Sequence, residues 1–146
     1  MPLTSLLFNL LWIVFGGLWM AIAWLFAALL MAISIVGLPW ARAAYNIALY
    51  TLLPFGQMAV SRAEHTGRED LGTGALGTLG NVIWFLLAGW WLALAHIVLA
   101  VLLAVTIIGL PFAWAHLKLA GLALWPIGKM IVPIEDAQYR RGRYVF

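Results

Sequence analysis

The sequence contains the same unit twice. When it is shifted against itself by 72 residues, residues 9–60 align with residues 81–132 without a gap, and 21 of the 52 positions are identical. Seven identities are alanine and three are leucine, which often match by chance, but eleven involve less common residues. These eleven are Asn9/Asn81, Trp12/Trp84, Gly17/Gly89, Trp19/Trp91, Ile35/Ile107, Gly37/Gly109, Pro39/Pro111, Pro54/Pro126, Gly56/Gly128, Met58/Met130 and Val60/Val132. The chain is therefore a tandem duplication, and we expect two copies of one structural unit.

Each copy opens with a long apolar stretch, residues 6–38 in the first and residues 82–110 in the second. The chain is 66% hydrophobic and 9% charged, whereas a soluble domain is roughly half apolar and about a quarter charged. About 20 apolar residues suffice to cross a bilayer as a helix. We therefore predict an all-α integral membrane protein in which each repeat is a long transmembrane helix plus a shorter Pro-bounded helix.

The long helices exceed the thickness of a bilayer. Roughly 30 residues form about 45 Å of helix, against a hydrocarbon core of about 30 Å, so each helix must tilt, protrude or break. Gly16, Gly17 and Gly89 mark possible break points. Small residues also allow membrane helices to pack closely, and we favour this interpretation.

A shorter element follows each long one, after the turns at residues 37–39 and 109–111. At these turns glycine is expected to adopt the left-handed conformation that ends many helices, and proline can occupy the first turn of the next helix. The shorter elements, residues 39–53 and 111–125, reach only about 22 Å as helices. Each therefore continues through the next proline, re-enters the membrane or lies in the interface.

The predicted domains are a first repeat (1–60), a charged and glycine-rich linker (61–80), a second repeat (81–132) and a basic tail (133–146). Lys and Arg residues are enriched in cytoplasmic loops. Arg62 and Arg68 therefore predict a cytoplasmic linker, and the tail arginines predict a cytoplasmic tail. With both on one side, each copy crosses the membrane an even number of times. We favour two parallel hairpins related by a pseudo-two-fold axis along the membrane normal. The alternative gives each copy one crossing, which makes the repeats inverted.

Few polar side chains lie at membrane depth, and such residues are candidates for function. His96 interrupts the second apolar stretch where the first copy has Trp24. A buried imidazole relays protons or binds ions in some proteins, although a hydrogen bond to a neighbouring carbonyl or hydroxyl would also explain it. Lys118 and its counterpart Asn46 form a second polar position. Lys118 could line a hydrated cavity or bind an anionic group, although an interfacial lysine is the explanation we favour.

The remaining polar candidates have simpler structural explanations. Arg42 is a further candidate polar position that could line a hydrated cavity or bind an anionic group, although we favour an interfacial side chain. Lys129 fits a side chain that extends to the lipid headgroups, as do Arg140, Arg141 and Arg143 in the tail. Asn9 and Asn81 lie near the starts of the long stretches, where an amide can cap a helix or bond across a helix interface.

Catalysis, cofactors and metals are not expected. The five carboxylates lie in the linker or the tail, and cysteine is absent. His96 and His116 are separated by twenty residues with no carboxylate nearby, which is a weak metal pattern. Five of the eight basic side chains lie in the linker and the tail, a pattern that favours anionic lipid over nucleic acid as a partner.

Several second-copy motifs resemble one known family. Residues 89–92 (Gly-Trp-Trp-Leu) with His96, residues 107–111 (Ile-Ile-Gly-Leu-Pro), Lys118 and residues 123–129 (Ala-Leu-Trp-Pro-Ile-Gly-Lys) look like the YccF family, also called the inner membrane component domain. The resemblance covers nearly the whole chain and implies a bacterial inner membrane protein. It brings no activity and no functional residues with it. As a departure from the family pattern, residues 1–5 contain no basic side chain.

Two functions from different classes follow. The first is a small multi-pass inner membrane protein that forms a homo-oligomer and a channel or permeation path for small ions or solutes. The second is a non-transporting membrane component that scaffolds partners or senses lipid. The first is favoured if His96, Lys118 and Asn46 face a shared hydrated cavity or a symmetry axis. The second is favoured if they face headgroups or pair within one subunit.

Overall fold

The structure, a computed structural model, describes the backbone of residues 2–143 and the side chains of residues 2–139. Arg140, Arg141 and Arg143, which are predicted to contact lipid headgroups, lie outside the described side chains.

Each copy folds into a helical hairpin followed by a short strand. The first copy contains α1 (Leu3–Ile33), α2 (Ala41–Leu52) and β1 (Gln57–Ser61). The short helix α3 (Arg62–Thr66) lies in the linker. The second copy contains α4 (Gly74–Ala104), α5 (Leu110–Leu124) and β2 (Lys129–Pro133), and α6 (Ile134–Arg143) follows. Within each hairpin the long helix packs along the short one. This is the predicted repeat of a long apolar helix and a shorter Pro-bounded helix.

Both long helices contain a π-helical turn at the predicted break points, Ile13–Gly17 in α1 and Phe85–Gly89 in α4. In α1 the backbone leaves the helical region at Phe15 and Gly16, and Gly16 has φ 111°. The next glycine allows close packing, because a Cβ on Gly17 would overlap the Trp12 indole. A Cβ on Gly89 would likewise lie 2.8 Å from the carbonyl oxygen of Ala123. The glycines therefore act both as break points and as packing surfaces.

The turns that join long and short helices, which we call the hairpin tips, differ from the predicted left-handed glycine turn. Gly37 has φ −81° and Gly109 has φ −73°, both ordinary values. The left-handed residue of the first tip is Ile35, with φ 63°. Glycine is needed at position 37 for space, because a Cβ there would lie 2.8 Å from the Met31 carbonyl oxygen.

The strands were not predicted. They follow α2 and α5, and they pair antiparallel in a two-stranded sheet. Ala59 pairs with Ile131 at the centre of the register, and these residues are equivalent in the two copies. A two-fold axis that exchanges two antiparallel strands is perpendicular to their sheet. The pseudo-two-fold axis of the molecule therefore passes through the sheet at this pair.

The end of each hairpin opposite its tip, which we call the base, is fastened by an asparagine. Asn9 Nδ2 donates to the carbonyl of Phe55 at 3.1 Å, and its Oδ1 accepts from the Phe55 amide at 2.9 Å. Asn81 makes the same two bonds to Ile127, both at 2.9 Å. The base of each hairpin thus joins the start of the long helix to the segment that follows the short helix.

The tip of each hairpin lies beside the base of the other. At the first tip, Trp40 Nε1 donates to the carbonyl of Leu71 at 2.7 Å, and its ring lies against Gly80 near the start of α4. At the second tip, Phe112 contacts Phe8 and Phe55, with ring centroids 5.9 and 5.7 Å apart.

The two hairpins consequently run in opposite directions, and the prediction of parallel hairpins is wrong. The arginines on which that prediction rested report the side of the linker and tail. They do not report the direction of the helices between them.

The predicted linker is shorter and more ordered than expected. Helix α4 already begins at Gly74, and Gly77 and Gly80 are buried within it. A Cβ on Gly80 would lie 2.7 Å from the Trp40 ring, so this glycine allows the contact between tip and base. Upstream, Arg62 forms a bidentate ion pair with Asp70 at 2.6 and 2.7 Å, which closes the linker into a compact loop.

Candidate buried polar site

His96 lies in the middle of the core and contacts its own counterpart in the other copy. Its side chain is 0% exposed, as is that of Trp24. Trp24 Nε1 donates a hydrogen bond to His96 Nε2 at 3.1 Å. Trp24 also stacks on Trp84, with ring centroids 5.2 Å apart. The pseudo-two-fold axis therefore passes between Trp24 and His96, in a core filled by aromatic rings.

A second histidine, His116 of α5, completes the site. His96 Nδ1 and His116 Nδ1 are 2.9 Å apart, and His116 is also 0% exposed. His116 was not among the predicted functional residues. Its signal in the sequence was weak because the partner lies twenty residues away on another helix, and helical spacing does not connect positions across a hairpin turn.

The Trp24 donor determines which ring nitrogen of each histidine carries a proton. Because the Trp24 indole can only donate, His96 Nε2 must be an unprotonated acceptor. The proton of neutral His96 is therefore on Nδ1, from which it is donated to Nδ1 of His116. Neutral His116 must then carry its own proton on Nε2. Hydrogen bonds therefore run from Trp24 to His96 and from His96 to His116. The last N–H group is Nε2–H of His116, on the side of the ring away from His96.

That last group has no hydrogen bond of ordinary distance and angle to a described residue. His116 Nε2 and Thr51 Oγ1 are the two buried side-chain polar atoms without one. Both residues adjoin Trp12, whose Nε1 donates to the Thr51 carbonyl at 2.7 Å and whose ring lies 4.3 Å from the His116 ring. The carbonyl of Phe15, at the kink in α1, nevertheless lies close enough to the His116 imidazole to accept a weak hydrogen bond from it.

The unpaired polar atoms lie on one side of the axis only. The counterpart of Thr51 is Ala123, the counterpart of His116 is Ala44, and both alanines are buried. Trp84 still donates to the Ala123 carbonyl at 2.7 Å, as Trp12 does to Thr51. The backbone contact is therefore shared by both copies, whereas the polar side chains belong to the Trp12 side.

Asn46 and Lys118 are exposed and line two separate clefts. The first cleft, of about 690 Å³, lies between α2 and β2 and includes Arg42 with Asn46. The second, of about 530 Å³, lies between α5 and β1 and includes Lys118. Lys129 lines both, and the Lys118 ammonium lies 5.8 Å from the centre of the Trp114 ring. The sheet thus separates the two clefts and contributes Lys129 to each of them.

The described side chains offer little for metal chemistry. Within residues 2–139 there is no group of three or more His, Cys, Asp or Glu side chains that could hold a metal ion. The His96–His116 pair offers a metal ion two nitrogen ligands at most. One of the two, Nε2 of His96, already accepts the hydrogen bond from Trp24.

These features define a helical membrane protein built from a duplicated hairpin, and within the described residues two helices are long and apolar enough to cross a membrane. The chain belongs to the YccF family, whose inner membrane component domain matches residues 7–57 and 79–129. It is similar to the Inner membrane protein YccF of Escherichia coli (strain K12), with 38% identity over 136 residues, which cover 91% of this chain and 90% of that protein. The protein of the same name from Shigella flexneri matches to the same extent. No solved structure matches. The chain is thus an inner membrane protein.

Proposed function

We propose that the protein is a non-transporting inner membrane component that binds anionic lipid headgroups at its sheet face. The sheet face consists of β1, β2 and the two clefts beside them. The observation that carries the proposal is the pair of clefts with Lys118 and Lys129, which have no carboxylate within ion-pair distance among residues 2–139.

In the proposed function the sheet lies outside the hydrocarbon. The described chain has two strands, so each has one edge without a strand partner. Lipid-exposed sheet edges do not occur in the hydrocarbon region, because each unpaired backbone group there costs several kcal/mol. Headgroups and water can satisfy these edges, and the lysines can bind lipid phosphates at the same depth.

The hairpin tips have the opposite character. The large side chains there are Ile35 and Val36 in the first tip, 78% and 65% exposed, and Ile107 and Ile108 in the second, 87% and 73% exposed. Such exposed apolar groups fit lipid better than water. The tips lie at opposite ends of the molecule. If the pseudo-two-fold axis follows the membrane normal, both tips reach lipid and the sheet faces water.

In this orientation the sheet lies flat on the membrane and the hairpins extend sideways beneath it. The linker and tail then leave from the same side, which their arginines predict to be cytoplasmic. A transmembrane orientation of the hairpins would instead place the sheet at mid-depth and the tips at opposite membrane surfaces.

A channel between several copies is the second candidate. Within one chain the axis is filled by Trp24, Trp84 and His96, and an indole N–H does not release its proton, so a proton relay through His96 stops at Trp24. The unpaired backbone groups at the sheet edges could, however, line a water-filled path in a homo-oligomer. Oligomerisation and permeation stay predictions, and His96 pairing within one subunit favours the non-transporting function.

Lipid binding can be measured by native mass spectrometry of the purified protein with phosphatidylglycerol or phosphatidylcholine. We expect preferential binding of the anionic lipid, and Lys118→Gln and Lys129→Gln should each weaken it about fivefold, because a basic residue near an anionic surface contributes about 1 kcal/mol. Arg68→Gln, an exposed linker position outside both clefts, is the matched control. Equal binding of the two lipids by the wild type would contradict the proposal.

A further inference from the structure

We propose that each cleft beside the sheet recognises a phospholipid headgroup that carries a hydroxyl group as well as a phosphate. This recognition rests on the lipid-binding function proposed above and specifies the class of lipid. A phosphate accepts hydrogen bonds, and a hydroxyl can donate one. Both are matched in each cleft, because the free edge of one strand presents a backbone donor and a backbone acceptor there.

The register of the sheet determines which backbone groups face the clefts. In an antiparallel pair, residues that exchange hydrogen bonds with the partner strand alternate with residues that do not, and the N–H and C=O groups of the latter point to the outer edge. Arg62 N–H donates to the Gly128 carbonyl at 2.8 Å, so these two residues are a hydrogen-bonded pair. Ala59 and Ile131 lie three pairs further along the register. Their backbone groups therefore point outward, away from the partner strand.

Ala59 and Ile131 each line one cleft. Ile131 lies in the wall of the first cleft, and Ala59 lies in the wall of the second. Among residues 2–139 neither backbone N–H nor C=O of these two residues has a hydrogen bond of ordinary geometry. Both residues are partly buried, and such backbone groups are normally paired with protein, water or ligand. Because the residues are equivalent in the two copies, the duplication provides this donor and acceptor once in each cleft.

The free edge of β2 is too short for an extended peptide. The outward-facing neighbours of Ile131 are Lys129 and Pro133. Lys129 N–H already donates to the Pro126 carbonyl at 3.2 Å, and proline has no N–H group. An added strand would require a row of donors and acceptors along the edge, whereas a headgroup requires one of each. The edge therefore fits a small polar headgroup.

Cationic side chains line the same clefts and select an anionic ligand. Arg42 and Lys129 line the first cleft, and Lys118 and Lys129 line the second. The carboxylate that lines the first cleft, that of Asp70, is already paired with Arg62. A phosphate diester in either cleft thus meets cations and an amide donor, and the free carbonyl is left for a hydroxyl. Phosphatidylglycerol supplies both groups, whereas phosphatidylcholine has no donor at the end of its headgroup.

Native mass spectrometry of the purified protein can compare phosphatidylglycerol, phosphatidylmethanol and phosphatidylcholine with the same acyl chains. Phosphatidylmethanol has the same charge as phosphatidylglycerol but a methyl group in place of the glycerol, and therefore no hydroxyl donor. We expect phosphatidylglycerol to bind about fivefold more tightly than phosphatidylmethanol, the factor that one net hydrogen bond of about 1 kcal/mol represents. Lys129→Gln should weaken both anionic lipids alike and leave their ratio unchanged.

The outcomes separate this recognition from lipid binding in general. Equal binding of phosphatidylglycerol and phosphatidylmethanol, both above phosphatidylcholine, would overturn the recognition of a hydroxyl and leave the proposed function intact. Equal binding of all three lipids would contradict both. Loss of the preference for phosphatidylglycerol in Lys129→Gln would assign it to the lysine and overturn the role of the strand edge.

NMR in phosphatidylcholine nanodiscs can test the strand edge itself. Labelling with ¹³C at isoleucine carbonyls and ¹⁵N in valine selects the few Ile–Val pairs of the chain, among them Ile131–Val132 at the edge and Ile97–Val98 within α4. Added phosphatidylglycerol should shift the Ile131 carbonyl resonance, because this carbonyl gains a hydrogen bond, and phosphatidylmethanol should not. The Ile97 carbonyl is the control and should respond to neither lipid. An Ile131 resonance that is unchanged by phosphatidylglycerol, or shifted equally by both lipids, would overturn the proposal.

Discussion

Trp24 and His96 occupy the same position in the two copies, and the indole of one donates a hydrogen bond to the imidazole of the other at 3.1 Å. A duplication brings equivalent residues together only at its symmetry axis. Ala59 and Ile131 meet in the same way in the sheet. A line through the two pairs defines the axis, and the difference between Trp24 and His96 breaks the symmetry of the core at the axis itself.

Trp24→Phe should destabilise the protein by about 1–3 kcal/mol, because it leaves the buried Nε2 of His96 without its donor. Trp19→Phe is the matched control, since Trp19 is exposed and surface changes usually stay within about 0.5 kcal/mol. Reversible unfolding in mixed micelles measures both. Equal stability of the two variants would show that the hydrogen bond contributes nothing.

Asn81→Ala and Asn9→Ala should each destabilise the protein, because each removes both side-chain bonds that fasten a hairpin base. Leaving a buried backbone group unpaired costs about 1–3 kcal/mol. The two losses should be similar in the same unfolding assay, since the geometry is repeated. Asn46→Ala, at an exposed position, is the control, and a loss as large as that of Asn81→Ala would argue against the clamp.

Gly89→Ala should lower stability, and Gly121→Ala should raise it. The added Cβ at Gly89 would lie 2.8 Å from the backbone oxygen of Ala123, whereas at Gly121 nothing lies within 4 Å. In an open helical position alanine is favoured over glycine by roughly 0.5–1 kcal/mol. Thermal unfolding of the two variants should therefore shift in opposite directions, and shifts in the same direction would contradict the close packing at Gly89.

The linker loop should loosen at acidic pH. A hydrogen bond from Arg62 lowers the pKa of the Asp70 carboxyl below its ordinary value of 3.8. The ion pair therefore stabilises the loop fully above that value and is lost as the pH falls through the lower pKa of the folded state. The effect on global stability is small because both side chains are partly exposed.

Hydrogen exchange of the Gly72 amide, which donates to Asp70 Oδ1 at 2.8 Å, measures this change locally. Its protection should decrease in acid, after correction for the intrinsic exchange rate. Asp70→Asn should remove the pH dependence, and Glu69→Gln should retain it. An acid-induced change that persists in Asp70→Asn would assign the effect to another group.

The sequence predicted the elements that depend on neighbouring residues. The glycines and prolines at residues 37–39 and 109–111 marked the turns between long and short helices, although the long helices end earlier, at Ile33 and Ala104. Gly16 and Gly89 marked the π-helical turns. The strands were not predicted, because five residues of mixed polarity, such as Gln57–Ser61, show little hydrophobic periodicity. His116 and the opposed directions of the hairpins depend on contacts between helices distant in the sequence, which a repeat and a charge count do not determine.

The orientation of the hairpins in the membrane is tested most directly by cysteine accessibility, because the native chain contains no cysteine. Single cysteines at Ile35, Ile107 and Glu64 can be probed with a membrane-impermeant maleimide, in spheroplasts and in inverted vesicles, with full labelling in detergent as the reference. We predict that Glu64→Cys is labelled only from the cytoplasmic side and that both tip variants are protected from both sides. Labelling of Ile35→Cys and Ile107→Cys from opposite sides would contradict this account and would establish transmembrane hairpins.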